Sequence, residues 1–317
     1  MGSTQFGNFQ VSLTKLEPAL LVQPEANFNS RTSVEIRPYP SAMYILTDNN
    51  QPPGIGYVTG DAGCVLRGIS LSNNRNLANL GSILLCAIAI LVSLFLLWRA
   101  DRKAAAVGRR EMQLFLIGFI IIEICEIFTV GGFPLDNNVR KGFTAVHLAT
   151  ITATSWILLM NAFVGYQLLD DGTPLSIALV GGTAAALFIG TGYISLDTAF
   201  DWTGYWQDDS YGPLHRNVAL YVLYQLAPLV FLFLFFILES VLVLRVLGER
   251  KPMLYLATAA LLFAIGQIFQ YVISVHICNA ADGKINGALF ETLFTLLSVV
   301  AIFVFWSSIT EDDWPIQ

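Results

Sequence analysis

Seven stretches of this chain run for about 20 residues with at most two formally charged side chains in any of them, and that pattern fixes the class of fold. They fall near residues 77–98, 112–132, 143–168, 175–194, 218–244, 254–275 and 287–306. Crossing the roughly 30 Å hydrocarbon layer of a bilayer takes about 20 helical residues. Inside lipid every backbone N–H and C=O needs a partner within its own segment, so such runs form helices. The predicted fold is an all-α membrane protein with seven transmembrane helices over 76–308. An irregular tail over 1–75 precedes the bundle, and a short acidic tail over 309–317 follows it. The 143–168 run is the most polar, with Thr150, Thr152, Thr154 and Ser155. Its hydroxyls place it inside the bundle, bonded to neighbouring helices or to its own backbone.

Charge narrows the function. Charged residues make up 13% of the chain, against about a quarter in soluble domains. A net charge of −6 and the lack of a basic run exclude nucleic acid as a partner. The four cysteines, Cys64, Cys86, Cys125 and Cys278, have no CxxC spacing, so no zinc or redox motif is expected. Position 6 is Phe where a myristoylation signal wants Ser or Thr, and no cleavable signal peptide is expected. In the tail, 41–46 alternates as a short strand would.

Orientation follows from the short loops. The first loop carries Arg99, Arg102, Lys103, Arg109 and Arg110, and the fifth carries Arg245, Arg250 and Lys251. The alternate loops carry only Arg140 and Lys141, then Arg216, then Lys284. The odd loops and the carboxy-terminus are therefore expected in the cytosol and the amino-terminus in the lumen.

Several residues are candidates for function. Glu123 and Glu126 lie three apart, on one face of the second span. Carboxyls in lipid are costly, so the pair is either an ion or proton site or a structural pair bonded to the polar third helix. Glu239 and Glu291 sit nearer span ends, where a structural role is the simpler reading. His147, His215 and His276 lack metal-binding spacing, and no metal or cofactor is expected. Cys64 and Cys278 both fall on the expected lumenal side, where an oxidising compartment permits a bridge. Gly182, Ala186 and Gly190 form a small-residue row on the fourth span, suited to packing within the bundle or to docking another protein's helix. No nucleotide loop or Ser/His/Asp elbow occurs, and no enzyme activity is expected.

Five stretches carry a resemblance. They are Ala106 to Glu111; Phe163 to Leu168 with Asp170, Asp171, Gly172, Thr173 and Ser176; Gly266 and Gln267 with Tyr271, Ile277 and Cys278; Asp282 and Gly283 with Phe290 and Thr295; and Ile309, Thr310, Glu311, Asp312 and Asp313. In order and in placement relative to seven spans, over roughly 62–314, they resemble the fungal chitin synthase export chaperone family. The resemblance implies a multi-pass endoplasmic reticulum protein that binds chitin synthase and enables its folding and export, supporting cell-wall chitin synthesis. It implies no cofactor. Expected partners are the synthase, membrane lipids and export coat machinery, with travel alongside the client to the plasma membrane. Family members usually carry a cysteine pair near the start, whereas none lies before Cys64 here. Candidate contacts are the Gly182/Ala186/Gly190 row, Asp171 to Thr173, Gly266, Gln267 and the acidic end Glu311 to Asp313. Two other readings stay open: a seven-helix receptor or lipid-handling protein built on Glu123 and Glu126, and a metal-dependent membrane hydrolase.

Overall fold

A computed structural model of the chain describes residues 69–310, apart from 72–74, 78, 104, 131–136, 168–172, 201, 204, 206–217 and 282–283. The strand expected over 41–46 lies outside the described residues, as do Cys64, His215, Asp171, Gly172 and Glu311 to Asp313. A small ribbon comes first, β1 (Ile69–Leu71) antiparallel to β2 (Arg75–Leu77), with Ser70 opposite Asn76. Seven helices follow. They are α1 (Leu80–Arg102), α2 (Arg109–Thr129), α3 (Asn137–Gly165), α4 (Pro174–Phe200), α5 (218–247), α6 (251–280) and α7 (Gly287–Ile309). All seven are long and apolar enough to span a bilayer.

The helices overlap the seven apolar runs and differ from them at the ends. α3 begins six residues earlier than its run and α4 continues six residues beyond its own. Both extensions carry polar residues that hydropathy trims and backbone hydrogen bonding keeps. Helix starts carry local signals. Asn79 caps α1 by accepting from the Ser82 N–H at 3.2 Å, and its amide donates to Asn286 Oδ1 at 3.0 Å, tying the start of α1 to the start of α7. Thr173 Oγ1 accepts from the Ser176 N–H at 3.2 Å, with Pro174 as the first residue of α4.

α5 and α6 are not uniform α-helices. A π turn at Val222–Leu226 precedes Pro228 in α5, and another at Phe269–Ile273 interrupts α6. Proline lacks an N–H and its ring crowds the carbonyl four residues back, so a wider turn ahead of it relieves both problems. The widened turn leaves Leu223 O to accept from Thr152 Oγ1 of α3 at 2.9 Å.

α3 is the axis of the bundle, with 83% of its apolar window buried, against 17% for α4. Its hydroxyls are satisfied mainly locally: Thr150 Oγ1 donates to Val146 O at 2.7 Å and Ser155 Oγ to Ile151 O at 2.9 Å. This disposes of polar groups that lipid would leave unpaired. α2 lies close against α3 because position 118 is glycine; a Cβ there would strike the Thr154 side chain. α6 and α7 pack along most of their length. At Gly266 a Cβ would come within 3.1 Å of Phe294 Cβ, and Phe269 stacks on Phe290 and Phe294 with ring centroids 5.0 and 5.4 Å away. α5 and α6, in contrast, scarcely touch.

Candidate functional site

Three features of the bundle carry chemistry or contact surface: a buried carboxyl cluster, a braced loop at the opposite end, and an open outer face.

The cluster begins with Glu123 and Glu126, which the helical repeat puts on one face of α2. Both are buried, 1% and 2% exposed. α1 brings the Cys86 thiol to them, and the ligand atoms of all three lie within 4.8 Å of one another. α7 adds Glu291, also buried, and Thr292, whose Oγ1 donates to Glu126 Oε1 at 3.1 Å. The sequence pointed to third-helix hydroxyls as partners of the pair; the bond to Glu126 comes instead from α7. Glu291, which sequence position marked as structural, belongs to this cluster. Its signal was legible in hindsight, since Glu291 and Thr295 share a face one turn apart in an otherwise apolar run. Glu239 is buried elsewhere, on α5.

These groups cap a cavity of about 500 Å³ between α2, α3, α5, α6 and α7. Glu123, Glu126, Glu291 and Gln267 line its polar end, Phe115, Leu256 and Ile302 line the other, and Thr154, level with Gly118, lies between them. Gly266, on the neighbouring turn, fixes the approach of α6 to α7 that sets Gln267 opposite Glu291. Two of the stretches quoted for the resemblance, around Gly266 and around Phe290 and Thr295, therefore meet here.

The other stretches meet at the opposite end. Gly108 adopts φ +70°, the left-handed region that disfavours a side chain, and a Cβ there would crowd the Asn161 amide. Asn161 Nδ2 donates to Gly108 O at 3.0 Å and Trp306 Nε1 to Val107 O at 2.8 Å. Lys103 Nζ donates to Ser307 O at 3.2 Å, and Ser176 Oγ approaches Glu111 Oε1 at 3.4 Å. The α1–α2 loop is thus held by α3, α4 and α7 together. Thr173 contributes here as the cap of α4, a role its motif alone did not reveal.

The small-residue row does not pack within the bundle. Gly182, Ala186 and Gly190 are exposed, and a Cβ at either glycine would meet nothing within 4 Å. The inner side of α4 uses Val180, Ala184, Thr191 and Ser195 instead. His147 is buried, His276 is exposed, and they share no ligand cluster among the described residues. Cys278 is disulfide-bonded, whereas Cys86 and Cys125 are free thiols.

Comparison with known proteins supplies a family. The profile of the chitin synthase export chaperone family matches residues 36–317, reaching further into the amino-terminal tail than the resemblance over 62–314. The chain is similar to the chitin synthase export chaperone of Coccidioides immitis, 31% identical over 227 residues, covering 71% of this chain and 66% of that one. Those of Chaetomium globosum and Aspergillus oryzae are 30% and 32% identical over 251 residues, covering 79% of this chain and 73% of each relative. No solved structure matches the chain.

Proposed function

The chain belongs to the chitin synthase export chaperone family, and from that premise we propose that it binds chitin synthase in the endoplasmic reticulum membrane and enables its folding and export for cell-wall chitin synthesis. The client is itself embedded in the membrane, so recognition takes place between helices. The observation that carries the contact surface is the exposed Gly182/Ala186/Gly190 face of α4. Small residues let a second backbone approach closely, and in lipid that packing, not hydrophobicity, drives helix association. The role is an escort's rather than a catalyst's.

The amino-terminus is lumenal and the carboxy-terminus cytosolic. Two independent observations support this orientation. The basic residues concentrate in the odd loops. The disulfide-bonded Cys278 ends α6 on the opposite side, where an oxidising compartment keeps the bond. Cys86 and Cys125 are free, which supports Cys64 as the partner of Cys278 on this topology. On this topology the braced Val107–Glu111 loop and the acidic Glu311 to Asp313 tail face the cytosol, where export coat components and cytosolic client segments are within reach. The Asp171 to Thr173 turn lies on the same side.

Co-purification from native membranes in mild detergent tests the reading. Chitin synthase is expected in the eluate of the wild-type protein and absent from that of a Gly182→Leu/Gly190→Leu variant. In a strain lacking the protein, the synthase is expected to stay in the endoplasmic reticulum. A synthase that reaches the cell surface normally in that strain overturns the reading.

A further inference from the structure

The intramembrane cavity has the length, polarity and opening of a lipid site. Its lining runs from Phe115 to Glu126 on α2, from Leu256 to Gln267 on α6 and from Glu291 to Ile302 on α7. Each is eleven residue steps, about 16 Å along a helix axis. In all three helices the polar residue stands at the same end and the apolar one at the other. The cavity is therefore a slot parallel to the bundle axis with a polar head and an apolar shaft. Leu229 and Phe233 of α5 line it and are 42% and 65% exposed. The slot thus opens sideways into the lipid, through the gap where α5 and α6 scarcely touch.

One end of the slot carries three carboxyls and its length is lined mainly by apolar side chains, a polarity gradient that matches a single amphiphile lying along the bundle axis.

The head end selects the chemistry. Glu123 Oε2 and Glu291 Oε2 are buried with no hydrogen-bond partner among the described residues, and the Gln267 amide nitrogen is a buried donor without one. Among the described residues no lysine, arginine or histidine lines the cavity. A phosphate or carboxylate head would face three carboxyls with no cation to offset them. An ammonium brings three donors, enough for the unpaired Glu oxygens. A neighbouring hydroxyl on the ligand would accept from the Gln267 amide. We propose that this cavity is a binding site for a single-chain amphiphile with an amino-alcohol head, the chemistry of a sphingoid base. The amine sits among Glu123, Glu126 and Glu291, and the chain runs along Phe115, Leu256 and Ile302 and enters between α5 and α6. The site is independent of the client-binding reading, and its test requires no client.

Purified full-length protein in phosphatidylcholine nanodiscs would be cross-linked with photoactivatable sphingosine, a photoactivatable fatty acid of equal length and a photoactivatable sterol, and labelled peptides mapped. The expected result is sphingosine labelling concentrated on Leu229–Phe236 and on the cavity side of α6, at least tenfold above the fatty acid. Glu123→Gln/Glu291→Gln should cut it at least tenfold. Ala260→Trp, which narrows the mouth and leaves the carboxyls in place, should do the same and serves if the double variant fails to fold. Equal labelling by the fatty acid, preferential labelling by the sterol, or labels spread evenly over all lipid-facing helices would overturn the proposal.

Discussion

Gly118 offers the sharpest test of how the bundle is held together, because the effect of one substitution there should depend on its neighbour. A Cβ at 118 would stand 3.1 Å from both Cβ and Cγ2 of Thr154 and closer still to its Oγ1. Threonine is branched at Cβ and cannot swing clear within a helix, so α2 must move away from α3. Such overpacking costs about 1–3 kcal/mol. Replacing a helical glycine by alanine returns about 0.5–1 kcal/mol of backbone entropy. The net expectation for Gly118→Ala is a loss of about 1–2 kcal/mol. Thr154→Ala removes the two colliding branch atoms and a hydroxyl that has no hydrogen-bond partner among the described residues, so alone it should cost little. In that background Gly118→Ala should fall within about 0.5 kcal/mol of neutral, a coupling of about 1–2 kcal/mol, in the range seen for residues in direct contact. Thermal unfolding in mild detergent reads the cycle. Cys86 and Cys125 are buried free thiols, so a thiol-reactive dye reports their exposure without a label being introduced. Simple additivity of the two substitutions would refute the close approach of α2 and α3.

Other expectations follow from single contacts. Gly182→Leu/Gly190→Leu replaces exposed glycines with open space around them, so stability should stay within about 0.5 kcal/mol while co-purifying synthase falls at least tenfold; retained synthase would move the contact elsewhere. Trp306→Phe removes the indole bond to Val107 O and should lower stability by about 1 kcal/mol, measured in the same dye assay, and no change would show that the α1–α2 loop is not held from α7. Cys278→Ser removes a disulfide and should cost about 2–4 kcal/mol, with Cys64 becoming open to maleimide on non-reducing gels; a Cys64 that stays unlabelled would rule out its pairing with Cys278.

Length and hydropathy sufficed for the helices, because crossing lipid imposes both on every span. They could not say which way a span faces. In water a helix shows its buried side as an apolar stripe, but lipid is as apolar as the interior, and that contrast disappears. The Gly182/Ala186/Gly190 row illustrates this: its sequence suits packing inside the bundle as well as docking outside it, and only the coordinates turn it outward. Glu123 and Glu126 were legible because their spacing is local. Glu291 was not assigned to them because its proximity depends on α7 lying beside α2, a contact between residues more than 160 positions apart. The cavity was invisible for a further reason, since it is made by what α5 and α6 fail to do.

Burial divides the bundle into a tight inner group and a looser outer one. α3 is 83% buried over its apolar window, α2 56% and α7 50%, whereas α1, α4, α5 and α6 lie between 17% and 28%. The Gly118 contact and the bonds of the α1–α2 loop to α3 and α7 hold the inner group. The exposed small-residue face lies on the outer α4, and the proposed lipid slot lies between the outer α5 and α6. If the α4 face is the client contact proposed above, it has a rigid support beneath it and is a face that lipid can also cover. Lipid solvates α4 as well as a client helix does, so the two states differ by packing alone, a margin of the few kcal/mol that close small-residue contacts provide. A charged contact buried in the membrane would bind more firmly and could not be exchanged for lipid at comparable cost. In this bundle the intramembrane carboxyls Glu123, Glu126 and Glu291 are enclosed, and the face left open to partners on α4 is built from glycine and alanine.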